Sequence, residues 1–341
     1  MRKNIFITTA AVLFLFVLMT MTSDDRHEKK GDQHHSGFRE VVGKDWKAPD
    51  TSELGHTHHD DLIRYGRTLI VHTATFFGPQ GSIAHISNGM NCGNCHIDAG
   101  TRRWGNNFSM VASTYPLFRN RSGKIETVEM RINDCFERSL NGKELADSTK
   151  EMKAMIAYIK WVGKDVGRGT KAKGSGIEKL PFLNRAADPA RGKIVFLTIC
   201  QKCHGKNGEG ISADNGKEYL YPPLWGKNSY NVGAGIYQVS KFAGYIKNNM
   251  PFGTTFTKPQ LTVEQAWDVA AFVNSQPRPA KDLSRDWPDI STKPPDYPFG
   301  PYSDSFSVQQ HKYGPFLPVQ QAHEKHVLQS KNSITQTSFL K

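Results

Sequence analysis

No nucleic-acid signature is present in this sequence. Its formal charge is +12, yet no basic helix is interleaved with aromatic residues. Acidic residues are outnumbered, 32 against 44 Lys and Arg. The excess cation lies in the two central stretches, 61–168 and 169–279, and not on a tail. A basic globule of this kind attracts a small anion or an acidic redox partner. Long apolar runs are scarce as well. Residues 5–21 form one such run, at the lower limit for a membrane span. Arg2 and Lys3 precede it, Asp24 and Asp25 end it, and no A-x-A site follows. Residues 1–25 therefore read as an export signal, either cleaved or retained as a membrane anchor. Cysteine is sparse too: five in 341 residues, an odd count that leaves at least one thiol outside any disulfide.

The remainder has the balance of a soluble globular chain, with 38% hydrophobic and 22% charged residues. Residues 26–60 are polar and rich in His (His27, His34, His35, His56, His58, His59) and read as a solvated linker. A first compact unit spans 61–168. It closes on a helix whose apolar face is Met152, Met155, Ile156 and Ile159, with Ser148 and Glu151 at capping-box spacing. Residues 169–189 are a linker opened by Gly and Lys. A second unit spans 190–279 and closes on a helix with Thr262 and Gln265 at the same spacing, stopped by Pro277 and Pro279. Residues 280–341 are Pro-rich and then polar, the pattern of an extended strap. The two units share one plan: a helix, a Cys-x-x-Cys-His, an irregular stretch and a closing helix.

Four of the five cysteines fall in Cys92-Gly-Asn-Cys95-His96 and Cys200-Gln-Lys-Cys203-His204. Cys-x-x-Cys-His is the attachment signature of c-type haem. Its spacing puts both thiols on one turn, where they add across the vinyl groups, and the next residue ligates the iron. A zinc cluster would need the two pairs to converge, although each already has its own His. The expected fold is all-α: two cytochrome c-type domains, each with one covalent haem, plus an extended Pro-rich C-terminal tail. The cofactors are two covalently bound haem c. Met250, followed by Pro251, is the expected second axial ligand opposite His204.

The first unit has no Met-Pro loop. Cys135 is the candidate for that position as thiolate, with His72, His85 and Met110 as weaker alternatives. On the helix expected over residues 126–140, Arg131, Cys135 and Ser139 follow at intervals of four and form one stripe beside the apolar stripe Val128, Ile132, Phe136 and Leu140. A guanidinium next to a thiol favours thiolate. Residues 102–138 are rich in Arg, which either face solvent and haem propionates or grip an oxyanion.

Arg131-Ile-Asn-Asp-Cys135-Phe, together with Cys92-Gly-Asn-Cys95-His96-Ile-Asp-Ala-Gly-Thr and Ile86-Ser-Asn-Gly89, resembles the dihaem thiosulfate dehydrogenases over residues 62–277. The resemblance implies a periplasmic enzyme that joins two thiosulfates as tetrathionate and passes two electrons through haem 1 and haem 2. It implies iron ligands His96 and Cys135 at haem 1. It implies Arg121, Arg131 and Ser139 as substrate-binding residues, and Cys135 as the carrier of a sulfur adduct. Some members have Lys beside the haem 2 Met and switch ligands there. This chain has Asn249, which implies fixed His204/Met250 ligation. The expected partners are thiosulfate and tetrathionate, in either direction of the reaction, and a small cytochrome c as external acceptor, with no nucleic acid. A dihaem electron carrier without a substrate of its own is the alternative. It leaves Cys135 and its arginines idle.

Overall fold

The computed structural model describes residues 45–325 and the two-residue strand Arg39–Glu40. The expected export segment, His27, His34, His35 and residues 326–341 lie outside the described residues. None of the described helices is long and apolar enough to cross a membrane.

Helix α1 (His58–Val71) begins at a capping box: the Thr57 hydroxyl accepts from the Asp60 amide, and the Asp60 carboxylate accepts from the Thr57 amide. The first domain therefore starts earlier than residue 61. Trp46 and Leu54 of the expected linker already pack on its core. A hairpin of β1 (Leu117–Arg119) and β2 (Lys124–Glu126) pairs Leu117 with Glu126 and Phe118 with Ile125. It departs from a purely helical domain and leads into α2 (Val128–Arg138). Helix α3 (Lys150–Val162) is capped by Thr149, one residue after Ser148, because the Thr149 hydroxyl meets the Met152 amide at 3.2 Å. Its Met152, Met155, Ile156 and Ile159 are buried as their spacing predicts. Each fully buried apolar side chain stabilises the fold by roughly 1.5–3 kcal/mol.

The second lobe repeats the plan. Helix α4 (Pro189–Val195) runs through a π-helical stretch (Phe196–Cys200) into one further turn (Gln201–His204). Helices α5 (Val239–Asn249) and α6 (Val263–Ser275) follow, and α6 opens on the Thr262/Gln265 capping box. In both lobes the first helix crosses the last at a glycine. A Cβ on Gly66 would lie 2.0 Å from the Ala154 carbonyl oxygen, and one on Gly192 would lie 1.9 Å from that of Asp268. No side chain fits either crossing. Residues 169–189 are a packed join and not a free linker: Ile177, Leu180 and Phe182 enter the second core, and the Gly174 carbonyl accepts from the Trp104 amide.

After α6 the chain straps both lobes. Asp286 and Trp287 lie on the β1–β2 hairpin and α2. The Asp296 carboxylate accepts from the Gln238 side chain at 2.7 Å and the Ser240 amide at 3.0 Å. Helix α7 (Val308–Tyr313) places His311 in a stack on Tyr302, and Phe316 packs on Trp267 in the second core. Within the strap, Lys293 is buried among Trp287, Phe299 and Tyr302, and its ammonium donates to the Phe299 and Pro301 carbonyls.

Burial, reinforced by Arg121, pushes the Lys293 pKa down from 10.5 to about 8. Folding thus disfavours its charged form. The cost is full below about pH 8 and vanishes above 10.5. Stability from this group therefore rises with pH across that window, by at most about 1.4 kcal/mol per pH unit and by less where water screens the charge. Denaturant unfolding between pH 8 and 10 should show a rise for the wild type relative to Lys293→Met. Parallel curves would refute it.

Candidate functional site

A cavity of about 330 Å³ opens in the first lobe, within the range of cofactor sites. Its walls carry Cys92, Cys95 and His96 together with Arg131, Cys135 and Ser139. The helical stripe expected from the sequence thus meets the Cys-x-x-Cys-His segment. The apolar stripe of α2 turns into the core, with Phe136 almost fully buried. Of the alternative ligands, Met110 also lines the cavity, whereas His72 sits 3.2 Å from Glu218.

The His96 Nδ1 faces the Asn106 carbonyl, and the His204 Nδ1 faces that of Pro222 at 2.9 Å. A carbonyl only accepts, so Nδ1 carries the proton and Nε2 keeps its lone pair for a metal. Burial lowers the His96 pKa to about 4 and lowers that of His204, holding both rings neutral. No disulfide joins any two of the five cysteines, and the two Cys-x-x-Cys pairs pack on different cores, which rules out one shared zinc cluster. Near Cys95, the buried Tyr230 hydroxyl and Arg278 Nε have no hydrogen-bond partner beyond each other, and the guanidinium lies 4.3 Å from the Tyr230 ring. A carboxylate such as a haem propionate satisfies both. These residues fit haem c.

Burial pushes the Cys135 thiol up from its ordinary value; Arg131 opposes this and Asp134 adds to it. Proximity to Arg131 alone therefore does not make a thiolate. A bound metal ion deprotonates a coordinating thiol outright. The Cys135 charge in turn raises the Arg131 pKa, so this guanidinium stays charged.

Arg121, expected beside the substrate, is held by Asp286 (Nε to Oδ2, 2.9 Å) with its plane over the Trp287 ring. The guanidinium that the hairpin contributes to the cavity wall is Arg119. Alternation along β1 puts Leu117 and Arg119 on the cavity side and leaves Phe118 exposed. That period-2 signal is too short to stand out in a sequence. The second lobe supplies Gly235, Ile236 and Lys241 to the same cavity, which spacing did not reveal.

Met250 ends α5 and packs partly buried on the second core. Its neighbour Asn249 is buried and donates to the Trp104 carbonyl across the lobes at 3.1 Å, so an ammonium at this position would be desolvated. Tyr245 likewise donates to the Asn94 carbonyl, inside the first Cys-x-x-Cys, at 2.9 Å. The lobes thus meet at the first attachment segment.

The SoxA/TsdA cytochrome c domain family matches residues 83–167, and the cytochrome c family matches residues 189–277. A thiosulfate dehydrogenase of Psychrobacter arcticus is 35% identical over 245 residues, covering 71% of this chain and 71% of that protein. The chain belongs to the thiosulfate dehydrogenase family. Its relative from Allochromatium vinosum is 40% identical over 198 residues, 57% of this chain and 72% of that one. The solved thiosulfate dehydrogenase (TsdBA) from Marichromatium purpuratum, as isolated, superposes with a TM-score of 0.63 at 31% identity. The match covers 69% of this chain and 50% of the solved one. Two cytochrome c domains imply two covalently bound haem c groups in this family member.

Proposed function

We propose that this chain oxidises two thiosulfates to tetrathionate outside the cytoplasm and passes two electrons to a small acidic cytochrome c. The observation that carries the reading is one cavity that holds a thiol, two guanidiniums and a hydroxyl beside a haem-attachment histidine. When bound, the two haem c groups supply two one-electron acceptors. The chain's own residues do the rest. Arg131 and Arg119 offset the charge of an entering dianion, and Ser139 donates to one of its oxygens. The ring of His96 is fixed by Asn106.

The Cys135 sulfur bonds to the terminal sulfur of the first thiosulfate as two electrons leave the pair, giving a cysteine S-thiosulfonate. The terminal sulfur of the second thiosulfate attacks the adduct sulfur that is bonded to Cys135 Sγ and breaks that bond. Tetrathionate departs, and the Cys135 thiolate is restored. Two thiosulfate dianions thus yield one tetrathionate dianion and two electrons. With tetrathionate and reduced protein the same steps run in reverse. His204 and Met250 are the proposed iron ligands of the second domain, and His96 and Cys135 those of the first. The charged start and apolar run of residues 1–25 support export, with membrane association where that segment is retained. The excess of Lys and Arg supports an acidic acceptor.

Stopped-flow mixing of oxidised, haem-loaded protein with thiosulfate and an acidic cytochrome c tests this. The visible haem bands should change to the reduced form, tetrathionate should accumulate, and electron transfer should slow as salt rises. Haem that stays oxidised with thiosulfate, and also stays reduced with tetrathionate, would leave only the electron-carrier reading.

A further inference from the structure

Asp286 lies in the strap, beyond the stretch that either family covers. Its side chain is nearly fully buried. It takes the Arg138 fork through two bonds of 2.8 Å, and Arg121 Nε through Oδ2 at 2.9 Å. Arg138 reaches with its Nε to the Asp134 carboxylate. The other oxygen of Asp134 holds Arg131 Nη1 at 2.7 Å. A chain of charge-assisted bonds thus leads from the strap to the guanidinium beside Cys135: Asp286, Arg138, Asp134, Arg131.

The count of charges gives the chain its purpose. Three guanidiniums (Arg121, Arg131, Arg138) share two carboxylates (Asp134, Asp286). With both carboxylates in place, Arg121 and Arg138 are committed, and one positive charge remains in excess, on Arg131 at the cavity. Without Asp286, three guanidiniums compete for Asp134. Arg138, already bonded to it, turns its freed fork there and displaces Arg131. The strap is fastened where this requires it. The Trp287 amide donates to the Arg121 carbonyl at 2.6 Å, and Lys281 pairs with Glu137 of α2 at 3.2 Å.

We propose that Asp286 is a positioning residue for anion binding: it occupies Arg121 and Arg138 so that Asp134 can hold Arg131 toward the substrate. This rests on thiosulfate being the substrate.

The test compares haem-loaded wild type, Asp286→Asn, Asp286→Glu and Arg138→Lys. Arg138→Lys keeps the charge but loses the fork, and it serves if Asp286→Asn loosens the strap. Asp286→Asn and Arg138→Lys should raise the thiosulfate KM roughly tenfold, as lost outer-shell contacts do at metal sites. kcat should stay within about threefold, and Asp286→Glu should recover most of the affinity. The electron paramagnetic resonance signal of the resting first-domain haem should shift in the first two variants, because Arg131 moves beside Cys135. A lowered melting temperature with KM and signal both unchanged would make Asp286 a structural clamp only and overturn the proposal. If the wild type does not turn over thiosulfate, the functional reading fails by itself. The resting signal then decides on Asp286, and an unchanged signal in both variants overturns it.

Discussion

Cys135→Ala should abolish haem reduction by thiosulfate, lowering the rate by roughly 10³-fold or more, with normal haem content and fold. The size follows from the role. Arg131, Arg119 and Ser139 bind and orient an anion, but they supply no sulfur with which to form a covalent bond. The fold should survive because Cys135 sits at the edge of α2. The packing of that helix is carried by Val128, Ile132 and Phe136, all buried on the neighbouring stripe. Alanine keeps helix propensity and removes one sulfur. The measurement is stopped-flow reduction at saturating thiosulfate, with tetrathionate assayed in parallel. A variant with full haem content that is still reduced at more than a tenth of the wild-type rate would show that the thiol is a bystander. Cys135→Ser is the sharper companion: it keeps a hydroxyl of similar shape and should be nearly as slow, because a hydroxyl at neutral pH is neither a thiolate nor a soft iron ligand.

Gly66→Ala should destabilise the first domain by about 3 kcal/mol or more, at the upper end of overpacking costs. The second domain should respond in the same way to Gly192→Ala. A methyl at Gly66 lands on the backbone of α3, 2.0 Å from the Ala154 oxygen and 2.8 Å from the Tyr158 Cβ. No flexible side chain is there to yield, so α1 must lift away from α3. The movement also disturbs the cavity, because Ile70 of α1 and Ile159 of α3 both line it. Ala is a better helix former than Gly by about 1 kcal/mol, so any loss occurs against that gain. Gly167→Ala is the control, since its nearest neighbour would be 3.6 Å away. Denaturant unfolding followed in the haem band of each domain resolves the two. Equal midpoints for Gly66→Ala and Gly167→Ala would show that the helices are not in close contact at the crossing.

The two Cys-x-x-Cys-His segments, the α2 stripe and the closing helices were legible because each is a local pattern. Cys-x-x-Cys-His completes its chemistry within one turn. Arg131, Cys135 and Ser139 share a face through the helical period alone. Thr262 and Gln265 lie three residues apart, within reach of each other's amides. The misses were small where the rule was local: α3 is capped by Thr149 beside Ser148, and α1 begins at His58 through the Thr57/Asp60 box. They were large where partners come from afar. Residues 169–189 have linker composition, yet their Leu180 and Phe182 find a core.

The sequence by itself determined the two Cys-x-x-Cys-His segments, the placing of the Cys135 thiol on α2 and the two-lobed plan, because short-range geometry and the periodicity of helices suffice for these. Tertiary structure alone decided which of the two hairpin arginines faces the cavity. Arg119 and Arg121 are two residues apart on one basic hairpin and look equivalent in sequence. A guanidinium on a long, flexible stem goes to whichever carboxylate the fold brings within reach. For Arg121 that carboxylate is Asp286, 165 residues further along the chain.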